Sequence, residues 1–235
     1  MNPMRLISMY KRTGEARLEF YGCPLACKFC NHRLQERRDL PLDQVVRYLS
    51  EYDVKNVFVG GADPVQQKRE LYELLKVLKM RGKEITLKTT GNDPEFLASV
   101  RGIVAKFVIE GKVDLDNVEG TARLVNLPSD KVAEYLGNLR RTLEVLRNEK
   151  ATLLIRVIPP IVNMTSLEKL GSQVQGLIED VLLQQFMSST SDIPFEGISR
   201  PSPSIDEMMA LGNMLLRYVP RVRVTGDGID TLLVR

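Results

Sequence analysis

The chain has 235 residues, 43% of them hydrophobic, and a net charge of +3, which is enough apolar material for the core of a single domain spanning 1–235. Basic residues are scattered, with only Arg33, Arg37 and Arg38 clustered, so there is no strong footprint for nucleic acid, and no run of about 18 apolar residues is present to span a membrane. The start, Met1-Asn-Pro-Met-Arg-Leu6, lacks the uninterrupted apolar segment of a secretory signal, so a cytoplasmic location with reduced thiols is expected.

In chain order, residues 1–16 carry mixed charge and a Gly14 turn, and Arg17-Leu-Glu-Phe-Tyr21 alternates like a half-buried strand. Residues 31–40 are strongly charged. Leu40-Pro-Leu-Asp43 then opens a segment with Val45, Val46 and Leu49 at helical spacing, and Asn56-Val-Phe-Val-Gly60-Gly61 is a short apolar run stopped by glycines. Strand, helix and strand in succession form the βαβ unit of a parallel sheet. The alternation continues with a helix over 68–81, a strand over 85–89, a short helix opened by Asp93-Pro94, a strand over 103–110, a helix over 129–149 with Ser129 as its cap, and a strand over 152–158. A helix over 166–179, a strand over 180–186, a Ser- and Pro-rich loop over 188–204 and a helix over about 204–218 follow. Two strands then flank the Gly226-Asp-Gly228 turn. Six strands alternating with helices from 17 to 186 predict an α/β fold, a partial (β/α)6 barrel with additional C-terminal strands. Its active site should lie on the loops after the C-terminal ends of the strands.

All three cysteines fall in Cys23-Pro-Leu-Ala-Cys27-Lys-Phe-Cys30. Thiolates at this spacing can converge on one metal site, and iron–sulfur clusters are held by such thiolates. Three of them leave a four-iron cluster one ligand short, and an open position makes a metal site chemical rather than structural, as it does for zinc. Other readings remain. The cysteines could be small buried hydrophobes, or a zinc site completed by His32, the one histidine; an odd count in a crowded loop fits a disulfide framework poorly.

Cys23-x3-Cys27-x-Phe29-Cys30, following an apolar strand, resembles the signature of the radical S-adenosylmethionine (radical SAM) superfamily. The resemblance implies that Cys23, Cys27 and Cys30 hold a [4Fe-4S] cluster, that Phe29 lies at the cofactor, and that the fourth iron binds the amino and carboxylate groups of S-adenosylmethionine. One-electron cleavage of the sulfonium then gives methionine and a 5′-deoxyadenosyl radical, which abstracts hydrogen from a substrate. Gly60-Gly61-Ala62-Asp63-Pro64 resembles the family's Gly-Gly-Glu-Pro segment, with Ala62 extra and Asp63 in the glutamate's place, and would hold the amino group of S-adenosylmethionine. Thr89 within Lys88-Thr89-Thr90-Gly91 resembles part of the Thr-Asn-Gly segment of glycyl radical enzyme activases. Glu110-Gly-Lys112 resembles their Asp-x-Lys, and Arg156 resembles an arginine that would hold the methionine carboxylate as a fork, a structural salt bridge being the other reading of it. Where the activases have a histidine near the end of the sixth strand, this chain has Gln184-Gln185-Phe186.

The resemblance therefore implies an oxidoreductase-type enzyme closest in kind to the glycyl radical enzyme activases. Its partners would be an electron donor such as flavodoxin or ferredoxin and a protein substrate, because a lean barrel leaves an open site that a large partner could cover. Two alternatives stand beside it: a radical SAM enzyme acting on a small, pterin-like molecule, and a non-catalytic iron–sulfur or zinc module. A pocket lined by arginines and acids would favour the small molecule, and a broad apolar rim the protein. No residue is singled out as the group that reacts with substrate.

Overall fold

The computed structural model describes residues 2–12, 14–50, 54–187 and 202–235. The chain opens with a hairpin of β1 (Met4–Arg12) and β2 (Glu15–Phe20), turned through Gly14 at a φ of +73°, a backbone conformation that glycine tolerates. Sequence reading missed β1, and the reason is visible in the register. A shift between Leu6 and Ser8 breaks the period-2 pattern that announces a strand. The charged stretch after the cysteines contains β3 (Arg38–Leu40), also missed, a three-residue edge strand paired with β1.

From there the expected alternation holds. Helix α1 (Leu42–Ser50) buries Val45, Val46 and Leu49, β4 covers Asn56–Gly61, and a 3-10 turn over Pro64–Gln67 leads into α2 (Lys68–Met80). Next come β5 (Glu84–Thr89) and α3 (Pro94–Val100), whose Asp93 cap accepts from the Phe96 N–H. Strand β6 (Lys106–Gly111) starts three residues later than the pattern suggested, because Ile103 still belongs to the turn after α3. An unexpected short helix, α4 (Val118–Val125), follows, capped by Asn117. Helix α5 (Ser129–Val145) ends before the expected residue 149. Ser129 is its first residue and not its cap, a position taken by Pro128 with no side-chain bond. Then come β7 (Ala151–Val157), α6 (Met164–Val174), β8 (Asp180–Gln185), α7 (Ile205–Leu215), β9 (Arg221–Gly226) and β10 (Ile229–Val234). Of the Ser- and Pro-rich loop expected over 188–204, residues 188–201 lie outside the described residues.

The strands form one sheet in the order β10-β9-β8-β7-β6-β5-β4-β2-β1-β3. All pairings from β2 through β9 are parallel, while β1, β3 and β10 add antiparallel edges. This is the expected partial barrel, with β9 extending its parallel run. Alternate residues of each strand divide the two faces. One set, including Ile85, Leu87, Phe107, Ile109, Leu153, Ile155 and Leu183, is fully buried in a core shared with Leu74, Leu97, Leu139 and Leu170 of the helices. The other set is half-exposed, apart from the buried Thr152 and Leu154 of β7, and brings Lys88 beside Val108, Glu110 beside Leu154, and Arg156 beside Gln184 across neighbouring strands. The polar face meets the loops at the C-terminal ends of β2, β4, β5, β6 and β7, where the cysteines are.

Candidate active site

Cys23, Cys27 and Cys30 lie in the loop between β2 and a 3-10 turn over Asn31–Leu34. All three line one cavity of about 190 Å³, together with Phe29, His32, Gly61, Lys88, Thr90, Glu110, Lys112 and Arg156. The loop is pinned on both sides of Cys27. The Ala26 and Lys28 N–H groups donate to the carbonyls of Val125 and Leu124 at 3.1 Å each, so the last turn of α4 braces it. The Leu25 N–H points at the Cys23 sulfur at 3.4 Å. Burial raises the Cys23 thiol well above the ordinary cysteine value and raises the Cys27 thiol too, although the charge of Lys112 pulls both the other way. Metal binding by these thiols requires that they give up their protons.

Behind Phe29 lies a buried charge cluster. Glu110 accepts from Lys88 and Lys112 at 2.7 Å each. Burial alone would raise the Glu110 carboxyl, but Lys112, Lys88 and Arg156 hold it well below the usual carboxylate range. Burial likewise opposes the charge of Lys112, and Cys27 and Glu110 more than restore it. The Lys112 ammonium and the Arg156 guanidinium lie 5.5 and 5.6 Å from the Phe29 ring centroid, within cation–π range. The Nε of Arg156 is buried without a hydrogen-bond partner, and no ion pair forms at Arg156 among the described residues. Among the described residues the structural salt bridge is thus absent, leaving a donor without an acceptor. Three cations face one carboxylate here, an arrangement suited to an anionic ligand.

Not every expected site residue reaches the cavity. Asp63 is 1% exposed and accepts from the Val65 N–H, the Thr89 hydroxyl, and the hydroxyl and N–H of Thr90. Burial pushes its carboxyl up while the bonds from Thr90 and Thr89 pull it down. With four donors already on it, Asp63 ties the end of β4 to the end of β5 instead of lining the cavity. Thr89 is turned with Ile85 and Leu87 toward the helices, and Thr90 and Lys88 face the cavity in its place. Strand alternation carries that signal: Lys88 is in phase with Thr86, on the face opposite Ile85. Gly60 does not line the cavity, and a Cβ there would strike the Phe58 ring. Gly61 does line it, but its φ of +95° and a Cβ position 2.5 Å from the Phe20 nitrogen demand glycine for packing as well.

Among the described residues no three His, Cys, Asp or Glu side chains close on a single metal ion. His32 lies with its Nδ1 3.7 Å from the Cys30 sulfur, and burial followed by the charge of Lys88 lowers its imidazole below the ordinary value. Three thiols spread round one cavity fit a cluster in which each binds a different iron better than a lone four-coordinate zinc.

A family model for the radical SAM superfamily matches residues 20–172. A candidate glycyl-radical enzyme activating enzyme of Methanocaldococcus jannaschii is 19% identical over 221 residues, covering 91% of this chain and 89% of its own. Among solved structures, TYW1 with a lysine-pyruvate adduct bound superposes with a TM-score of 0.64 at 16% identity, covering 90% of this chain and 76% of that one. Streptococcus suis SuiB bound to S-adenosylmethionine gives a TM-score of 0.63 at 14% identity, covering 88% of this chain and 48% of that one, and SuiB has also been solved with its precursor peptide SuiA. At these identities the solved structures establish the shared fold.

Proposed function

Because the chain belongs to the radical SAM superfamily and is an enzyme of that family, we propose that Cys23, Cys27 and Cys30 hold its [4Fe-4S] cluster and that the charged wall of the same cavity holds S-adenosylmethionine. When bound, the cluster and S-adenosylmethionine supply a one-electron reductive cleavage that generates a hydrogen-abstracting radical. The observation that carries this reading is the convergence of three thiols, Lys88, Glu110, Lys112 and Arg156 on one cavity. Arg156 offers its unpartnered Nε to the methionine carboxylate, and Lys112 adds a second cation beside Phe29. Glu110 keeps both lysines in place. The backbone at Gly60-Gly61-Ala62, with Gly61 on the wall, approaches the amino group, while Asp63 acts indirectly by holding Thr90 against the cavity through its hydroxyl. The buried Phe29 ring lies within cation–π range of both Lys112 and Arg156.

The substrate in this reading is a protein or peptide. Leu34 ends the turn after the cysteines, Met164 opens α6, Met187 follows β8 and Ile205 opens α7, and all four side chains are exposed at the active end of the barrel. Such an apolar rim suits a macromolecular partner, and the charged groups of the cavity are taken up by the cofactor. Substitution of Leu34 and Met187 by Glu is expected to abolish stimulation by a protein substrate while sparing slow substrate-free cleavage of S-adenosylmethionine.

The direct test is anaerobic reconstitution with iron and sulfide, chemical reduction, and assay of 5′-deoxyadenosine. Wild type should form it, and Cys27→Ala should lose both the cluster and the product. A fully loaded wild-type cluster that yields no 5′-deoxyadenosine overturns the reading.

A further inference from the structure

We propose that His32 donates a hydrogen bond from Nδ1 to the Cys30 sulfur and thereby raises the reduction potential of the cluster; this rests on the cofactor reading above. The 3-10 turn begins immediately after Cys30, so the ring two residues on folds back over the sulfur, at 3.7 Å. A thiolate bound to iron has no proton to give, so with the cluster in place the imidazole would be the donor and its proton would be on Nδ1. His32 forms no ion pair among the described residues. The Leu25 N–H points at Cys23, the Lys112 charge acts on both Cys23 and Cys27, and the His32 ring lies against Cys30. Of these, the Leu25 N–H is backbone and Lys112 also serves the cofactor wall, whereas His32 reaches Cys30 through its side chain.

Hydrogen bonds to the sulfurs are among the factors that set the potential of an iron–sulfur cluster. A bond to a thiolate stabilises the more negative, reduced form, so the cluster accepts an electron from a one-electron donor at a less extreme potential. The step is a simple balance: one electron leaves the donor, the cluster is reduced by one, and no proton moves.

The test is an EPR-monitored redox titration of reconstituted wild type, His32→Phe and His32→Asn, each with measured iron and sulfide. Phenylalanine keeps the ring without the donor, and asparagine keeps an N–H where Nδ1 sits. At a fixed potential the ratio of reduced to oxidised cluster should fall about tenfold in His32→Phe, equivalent to about 59 mV for a one-electron couple, and His32→Asn should recover most of it. An unchanged midpoint in His32→Phe overturns the inference. A fall of equal size in both variants also overturns it, since ring loss and not the hydrogen bond would be the cause. So does loss of iron in both variants from a wild type that loads normally, because His32 would then be a ligand. Failure of wild type itself to assemble a cluster overturns the cofactor reading instead, so the two failures are told apart.

Discussion

Leu153 and Arg156 lie three residues apart on β7 and face opposite sides of the same sheet. Leu153 is fully buried among helix side chains, whereas Arg156 is half-buried, looks into the cavity and leaves its Nε without a partner. The same division runs through β5 and β6, where Leu87 and Ile109 are buried in the core and Lys88 and Glu110 meet at 2.7 Å on the other face. One face therefore holds the molecule together and the other presents its chemistry. Glu110 is where that division is weakest, because its two ion pairs are themselves buried.

Glu110→Gln accordingly has the largest effect. It leaves Lys88 and Lys112 near each other without their shared carboxylate, and loss of one partner from a buried pair costs about 3–5 kcal/mol, to be read from urea denaturation at pH 7. The pH dependence has a definite sign. The folded-state value of Glu110 lies well below its ordinary 4.5. Its ionised form thus contributes stability that is complete above about 4.5 and is lost as pH falls from there through the depressed folded value. Wild type should lose more stability between pH 7 and pH 3 than Glu110→Gln does; parallel pH profiles would place the ion pairs outside the stability of the fold.

The next pair sharpens the comparison on a single strand. Leu153→Ala opens a cavity in the core and should cost about 2–5 kcal/mol, with 5′-deoxyadenosine formation per folded molecule preserved below the melting range. Arg156→Ala should do the reverse, leaving the urea midpoint nearly unchanged. It removes a charged hydrogen bond, and its affinity for S-adenosylmethionine should fall about tenfold to a hundredfold, measured by equilibrium binding to the reconstituted protein. An Arg156→Ala variant that melts early and binds normally would return that residue to a structural role.

Much of this was legible in the sequence because two local signals survive folding: the period-2 and period-3.6 spacing of apolar residues, and cysteines crowded into one loop. The run of strands and helices from Arg17 to Gln185 came from the first, and the location of the site from the second. Strand β1 escaped because the irregularity at Leu6–Ser8 interrupts its alternation, and β3 because three charged or flanking residues at a sheet edge carry no pattern. Helix α4 lacks the Asp-Pro opening that announced the still shorter α3, yet it braces the cysteine loop through backbone carbonyls that no side-chain pattern reveals. Motif matching found the segment around Lys88–Gly91 but selected Thr89, and the phase of the strand turns that residue to the core. Asp63 shows the same limit, since whether a carboxylate meets a ligand or two neighbouring threonines depends on how two strand ends approach.

The smallest effect is expected from an ion pair with better hydrogen-bond geometry than some of those above. Arg223 meets Asp230 through two bonds of 2.7 Å across the β9–β10 hairpin, on side chains 56% and 59% exposed. The pair draws the aspartate below and the arginine above their ordinary values, but water and salt compete for both groups in both states. Asp230→Ala should therefore leave the urea midpoint within error of wild type at physiological salt, and 5′-deoxyadenosine formation unchanged. If it instead destabilised the protein as strongly as Glu110→Gln, burial would not be what separates the two pairs. The C-terminal hairpin would then be a structural partner of the barrel rather than an added edge.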